Sequence, residues 1–336
     1  MADLMPRWAP GIMAAGEPGH AAAVNLANPH RRKDEVRSWL VADLGGTKIQ
    51  AARVTASGRL QELMETPTPA AGGEAVMAAL LALLQRYDPA AIAAVAVDVP
   101  GLAYPDGDVW APNLLDWTHF PLRRRLQQAL GKPVLVESDR NAFMAGELWR
   151  GAARGCRDAI CLMIGTGIGA GIYSDGRLLR GHDQLAGAVG WMAIRDTWRA
   201  DYHSRGCLES HVAGPGLAEM ARAAGLACDT RALLAAARQG ERSARRILAQ
   251  AGRDLGLGLA NLVSLLNPEI IILAGGIGQA AGRELLPVAR ASLSRWAQPL
   301  AAKRVRLTLS RLGHRAPLLG LAALAGGLLP APPSDN

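Results

Sequence analysis

From residue 38 onward, hydrophobic and polar positions fall into two successive runs of the same form. The apolar run Leu40-Val41-Ala42 ends at Asp43 and a glycine pair, and alternating residues then lead to the turn Ser57-Gly58-Arg59-Leu60. Alternation marks half-buried strands, and short unbroken apolar runs mark strands covered on both faces. The pattern predicts strands at 39–43, 48–54 and 60–65 and a helix at about 73–87. A buried strand over Ile92–Val99 follows and stops at Pro100-Gly101. Next come a helix at about 120–130 ending at Gly131, the strand Pro133–Val136 and a helix over Asn141–Trp149. The second run repeats the order. Strands are expected at 158–164, 168–173 and 177–180, and helices over much of 207–224, 229–238 and 241–266. The apolar strand Glu269–Leu273, a helix at about 281–297, a strand at 304–309 and a last helix at about 317–329 complete it.

Strands then helices, twice over, predict a two-lobed α/β fold with a cleft between the lobes. Residues 37–137 with 315–330 are expected to form the smaller N-terminal lobe, onto which the last helix folds back, and 138–314 the larger C-terminal lobe. Residues 1–36 show no periodicity and are expected to be a disordered N-terminal extension.

Each run opens on a glycine-rich turn behind an apolar strand. The first is Asp43-Leu44-Gly45-Gly46-Thr47-Lys48 and the second is Gly165-Thr166-Gly167-Ile168-Gly169-Ala170-Gly171, which continues to the tight turn Ser174-Asp175-Gly176-Arg177-Leu178. Both read as β-hairpins, and the repeat points to an internal duplication. One such turn is more often only a hairpin. Two matching turns suggest a pair of backbone cradles for one polyphosphate, because glycine lets main-chain N–H groups approach phosphate oxygens unobstructed. Gly45, Gly46, Thr47 and Lys48 would form one cradle and Gly165, Thr166 and Gly167 the other. The carboxylate of Asp43 would repel a phosphate unless a cation lay between them, so its place implies Mg²⁺, held directly or through water.

Composition narrows the classes. With 336 residues, 50% hydrophobic and 20% charged, the chain is long enough for two globular cores. The net charge of +8 rests on short, scattered clusters, Arg31-Arg32-Lys33, Arg123-Arg124-Arg125 and Arg245-Arg246, with no interleaved aromatics. These read as solvated helix faces rather than a nucleic-acid surface, although a basic surface also attracts an anionic nucleotide. Cys156, Cys161, Cys207 and Cys228 show neither CxxC spacing nor a disulfide framework, which fits the cytoplasm. No apolar run reaches membrane-spanning length, and none resembles a signal peptide.

Asp139 lies between a strand and a helix, where its carboxylate should face the cleft. There it could take the proton of an attacking hydroxyl in phosphoryl transfer, or merely cap the following helix. Ala274-Gly275-Gly276-Ile277-Gly278 follows a strand and precedes a helix, so that Gly275 and Gly276 would let a nucleoside lie against the backbone.

Together these elements resemble the ROK family of sugar kinases and repressors, within the actin, sugar kinase and Hsp70 superfamily, over roughly residues 38–330. The resemblance implies a duplicated ribonuclease H-like, actin- and hexokinase-like fold and an ATP- and Mg²⁺-dependent sugar kinase. Asp43–Lys48 and Gly165–Gly171 look like its two phosphate motifs, and Ala274–Gly278 like its adenosine motif. Glu137-Ser138-Asp139-Arg140-Asn141 is similar to its Asn-Asp-x-Asn segment, which makes Asp139 the general base. Asn113 of Pro112-Asn113-Leu114 and Glu209 of Gly206-Cys207-Leu208-Glu209 correspond to sugar contacts, with Gly101 and Ser138 placed beside them. The implied acceptor is the 6-hydroxyl of a hexose or amino sugar, and the implied assembly is a homodimer.

The departures concern the sugar. Ala188-Val189-Gly190-Trp191 stands where the family has Glu-x-Gly-His, whose Glu and His hydrogen-bond sugar hydroxyls near the anomeric carbon. Losing such polar partners should weaken or redirect sugar choice. Trp191 could stack on a sugar face or fill a core gap. The family's structural zinc is also expected to be absent. Its ligand positions hold Trp191, Ala200, Tyr202 and Cys207, while His203 and His211 occupy no matching position and read as ordinary histidines. The loop 196–206 must then be held by side-chain packing or be mobile. Two rivals remain. One is a sugar-binding regulator with weak or no kinase activity and no DNA-binding domain; the other is a kinase of the superfamily acting on a non-sugar acceptor.

Overall fold

The computed structural model describes residues 37–329 apart from 115, 227 and 228; the extension expected over 1–36 lies outside the described residues. The first half supplies β1 (Ser38–Leu44), β2 (Lys48–Thr55), β3 (Leu60–Pro67), α1 (Gly73–Leu84) and β4 (Ala94–Val99). A small hairpin of β5 (Leu102–Ala103) and β6 (Val109–Trp110), then α2 (Leu122–Leu130), β7 (Val134–Ser138) and α3 (Asp139–Arg150), complete it. The second half runs through β8 (Ala159–Ile164), β9 (Ile168–Ser174), β10 (Arg177–Leu178), α4 (Tyr202–Arg205), α5 (Cys207–Val212), α6 (Gly214–Ala223), α7 (Thr230–Arg238) and α8 (Arg242–Leu266). It ends with β11 (Ile270–Ala274), α9 (Gly275–Trp296), α10 (Pro299–Arg304), β12 (Arg306–Leu309) and α11 (Ala316–Gly326).

Two five-stranded sheets share one plan, β3-β2-β1-β4-β7 and β10-β9-β8-β11-β12. In each, the first strand pairs antiparallel with the hairpin strand that follows it and parallel with the strand on its other side, and the outermost strand is parallel again. The expected duplicated α/β fold is present. The central strands β4, β8 and β11 are buried throughout; β8 and β11 are unbroken apolar runs, and β4 is one apart from Asp98.

Helices cover both faces of each sheet. In the first, Leu80 and Leu84 of α1 and Leu126 of α2 pack with Val95, Val97 and Val136. Its other face, with Trp39, Val41 and Val54, lies under Leu318, Leu319 and Leu321 of α11. In the second, one face packs against Leu255 and Leu259 of α8 and Leu285 and Leu293 of α9. The other, with Cys161 and Ile272, packs against Met144 and Leu148 of α3. Helix α3 therefore serves both sheets, since its Ala142 belongs to the core under α11. Two glycines let α3 and α11 touch backbone to backbone: a methyl group on Gly320 would overlap the Ala142 carbonyl, and one on Gly146 the Ala316 carbonyl.

Several boundaries differ from the sequence reading. Helix α9 begins at Gly275, because the glycine-rich turn is itself the first helical turn. The helix expected over 207–224 breaks at Ala213, which is extended (ψ 165°) ahead of the pair Gly214-Pro215. The strand expected at 304–309 begins only after α10. Among the described residues no helix is long and apolar enough to cross a membrane. In the two basic clusters among the described residues some side chains have local partners: Arg125 pairs with Glu74 (2.5 Å), Arg123 donates to the Pro105 carbonyl and Arg245 to that of Ala237.

Candidate active site

The carboxyl ends of three neighbouring parallel strands carry acids in one row. Asp43 on β1 is in register with Asp98 on β4, and Asp98 with Glu137 on β7. Asp98 is fully buried. Its Oδ1 accepts the Leu44 N–H (3.3 Å), and its Oδ2 has no hydrogen-bond partner. Burial first, then the nearby charges of Asp43 and Asp139, push the Asp98 carboxyl well above the usual range. Burial also raises Asp43, opposed by the neighbouring Asp98 carboxyl and by the charges of Lys48 and His314. Two neighbouring buried carboxyl groups ionise together only at a high cost unless a proton or cation lies between them. The sequence reading missed Asp98, which hides inside an apolar run and meets Asp43 only through strand register.

At the first glycine turn the Gly45 N–H donates to the Lys48 carbonyl (3.0 Å), and the Thr68 hydroxyl donates to the Gly45 carbonyl (2.7 Å). Gly46 and Thr47 are exposed, and a side chain at Gly46 would meet open space. The Lys48 ammonium pairs with Glu65 on β3 (3.1 Å), so the groups left facing outward at this turn are mainly main chain.

Asp139 opens α3 but does not cap it. The cap is Ser138, which is buried and whose Oγ accepts the Asn141 N–H (3.4 Å). Asp139 Oδ1 accepts the Arg140 N–H (2.7 Å) and keeps partial access to solvent. Burial raises its carboxyl to about 6; the Arg140 charge and N–H oppose the rise, and the Asp43 charge adds to it. Glu137 fixes the backbone here, accepting from the Ser138 N–H (3.0 Å) and the Asn141 side chain (2.9 Å) while pairing with Arg180 (2.6 Å).

The second turn mirrors the first: the Gly165 N–H donates to the Gly167 carbonyl (2.9 Å), and Thr166 is exposed. Glu209 on α5 reaches this turn, where its Oε2 accepts the Ile168 N–H (2.7 Å). Gly167 and Gly190 flank that carboxylate so closely that a Cβ on either would lie 2.9 Å from Oε2. Burial raises the Glu209 carboxyl, opposed by the Ile168 amide and Arg205. Gly275, at φ 78°, turns the chain into α9 against the Ile164 backbone, which brings the third glycine motif beside the second. Gly276 beyond it is exposed. In the first half, Gly101 packs against the Trp110 carbonyl, and Asn113 stands exposed on the loop after β6.

The ROK family profile matches residues 40–327. The chain belongs to the ROK family. It is 37% identical over 294 residues to the bifunctional enzyme NanE/NanK of Brucella melitensis, covering 85% of this chain and 53% of that one, so it spans about half of that relative's length. Among solved structures it is similar to the ROK hexokinase of Thermus thermophilus, with a TM-score of 0.72 and 34% identity over 85% of this chain and 97% of the other. It is also similar to the ROK family glucokinase of Streptomyces griseus solved with glucose and AMPPNP, with a TM-score of 0.72 and 31% identity over 85% and 98%.

Two features of this ROK chain complete the picture. A cavity of about 820 Å³ runs along α9 and β12, lined by Gln279, Ala280, Arg283, Thr308, Ser310 and Arg311, a few residues beyond the Gly275 turn. The loop 196–206 is held by side chains. Tyr202 Oη and His211 Nε2 are 2.7 Å apart, Trp198 meets Tyr202 edge-on, and Arg205 pairs with Glu219 (2.7 Å). His211 Nδ1 lies 3.8 Å from Asp254, which is buried and also bound by Arg195. Among the described residues no group of three or more His, Cys, Asp or Glu is placed to hold a metal ion. Trp191 is 55% exposed and so fills no core gap.

Proposed function

We propose that this chain is an ATP-dependent sugar kinase that phosphorylates a hydroxyl, the 6-hydroxyl by preference, of a hexose or amino sugar. The observation that carries this reading is Asp139, a carboxyl near pH 6 with access to solvent, at the end of a strand beside Asp43 and the first glycine turn. The named relatives, a hexokinase and a glucokinase among them, support it.

In this reading the N–H groups at Gly45–Lys48 and Gly165–Gly167 cradle the phosphates, and the nucleoside lies at Gly275–Gly276 with the adjoining cavity as its room. Asp139 takes the proton of the acceptor hydroxyl as that oxygen attacks the terminal phosphoryl group; the O–P bond to ADP breaks and ADP departs. Asn113, Gly101 and Glu209 shape the acceptor side. Oxygen donors at Asp43, with the unmatched carboxylate oxygen of Asp98 beside it, suit Mg²⁺, which would be held by Asp43 and would offset phosphate charge. The lobes that close on the substrates are 37–137 with 315–330, and 138–314. A homodimer accords with the resemblance, and the free, buried Cys156, Cys161 and Cys207 suit a reducing cytoplasm.

The test is a coupled kinase assay with ATP and Mg²⁺ over a hexose and amino-sugar panel. Turnover should appear with at least one acceptor and fall about 10²–10⁴-fold in Asp139→Ala. Ala188 and the exposed Trp191 favour a second reading, a sugar-binding regulator. Sugar-dependent thermal stabilisation without any turnover would establish that reading instead.

A further inference from the structure

Arg140 follows the carboxyl on which the proposed chemistry depends, and its side chain leaves α3 for the other half of the molecule. Its stem lies on Gly169 of β9, where a Cβ would come within 2.9 Å of Arg140 Cδ. Its guanidinium donates from Nη1 to the Ala186 carbonyl and from Nη2 to the Gln184 carbonyl, both at 3.3 Å. Gln184 is one of the few non-glycine residues at positive φ (62°), a conformation that persists only where its surroundings hold it.

The segment 180–187 is fastened at each end as well. Arg180 pairs with Glu137 directly before the Ser138 cap (2.6 Å), and the Gly187 carbonyl accepts the Ala170 N–H (2.8 Å). Between these anchors Asp183 lies near enough to Tyr104, on the hairpin joining β5 and β6, to add to the rise that burial causes in its phenol. The loop thus reaches from the second sheet toward the hairpin that carries Gly101, and leads directly into Ala188–Trp191.

We propose that Arg140 is a positioning residue for the acceptor: its planar fork straps loop 181–187 to the first turn of α3, so that the acceptor wall and Asp139 keep one fixed geometry. An Arg is suited to this because one rigid group grips two carbonyls at once. Its charge acts on the same site. The charged groups facing Asp139 are Arg140 on its own helix, Asp43 on β1 and Asp98 on β4, and Arg140 is the cation among them that favours the ionised carboxylate. The inference rests on the reading of Asp139 as general base.

The experiment compares wild type, Arg140→Met and Arg140→Lys with D-glucose, D-mannose, N-acetyl-D-glucosamine and N-acetyl-D-mannosamine as acceptors from pH 5.5 to 8.5. Hydrogen–deuterium exchange of residues 181–187 is measured alongside. Arg140→Met should raise the acceptor KM on the order of tenfold while leaving the ATP KM within about twofold. It should also move the acidic limb of kcat/KM upward by about half to one pH unit. Arg140→Lys should restore the limb but not the KM, because an ammonium supplies the charge without the fork. Exchange at 181–187 should quicken in both variants and stay unchanged at 159–164. A folded Arg140→Met with wild-type acceptor KM, limb and loop exchange overturns the proposal; if that variant does not fold, wild-type KM and exchange in Arg140→Lys do so. A wild type inactive on every sugar defeats the kinase reading, and the strap then stands or falls on the exchange data alone.

Discussion

At the scale of single residues, Asp139 places function against stability. Its carboxyl, ordinarily at 3.8, is raised to about 6 by burial, so the folded chain binds this proton more tightly than the unfolded chain does. Burial of the group therefore costs nothing below about pH 4, and its cost is complete above about pH 6, on the order of 3 kcal/mol. Asp139→Asn should raise the melting temperature over wild type at pH 8, with the gain fading toward pH 4, even as turnover is lost; a gain that is equal at both pH values would refute the assignment. Asp43 and Asp139 were legible in the sequence because each stands where an apolar strand gives way to a turn or helix. Asp98 was not, since it looks like an irregularity in Ala94–Val99, and only the register of β4 against β1 reveals what it meets. The cap role of Ser138 was hidden for a similar reason, because it shows only once its hydroxyl is seen to accept an N–H three residues on.

At the scale of elements, strands were easier to read than helix ends. The hairpins announced themselves through alternation and glycine, whereas α9 opens on glycines that usually signal a stop, and α5 and α6 look continuous until Pro215 is given its steric weight. The loop 196–206 shows how a segment with an incomplete metal-ligand set can still hold one conformation. Its anchor is the contact between Tyr202 and His211, with Asp254 and Arg195 behind it. Burial lowers the His211 pKa, so the ring is neutral at neutral pH and can accept from the phenol. Removing that hydroxyl in Tyr202→Phe should cost about 1 kcal/mol and speed proteolytic cleavage within 196–206. A chelator should leave the wild-type melting temperature unchanged. Unaltered cleavage in Tyr202→Phe would show that packing alone fixes the loop.

At the scale of the whole molecule, two sheets of one strand order are joined by the contact of α3 with α11, and that contact depends on the absence of side chains at Gly146 and Gly320. Gly320→Ala would drive a methyl group into the Ala142 carbonyl and should destabilise by ~1–3 kcal/mol or more, read as a lower denaturant midpoint. A midpoint equal to wild type would mean that the helices can separate at little cost. The duplication itself was visible in the repeated turns, but this crossing was not, because nothing local distinguishes these glycines from any others in a helix. The place of α11 in the chain has a consequence for biosynthesis. Trp39, Val41 and Val54 leave the ribosome well before their cover, Leu318 to Leu321, is made. Until α11 has been made, the nascent N-terminal sheet has one greasy side bare, so its core closes late in folding.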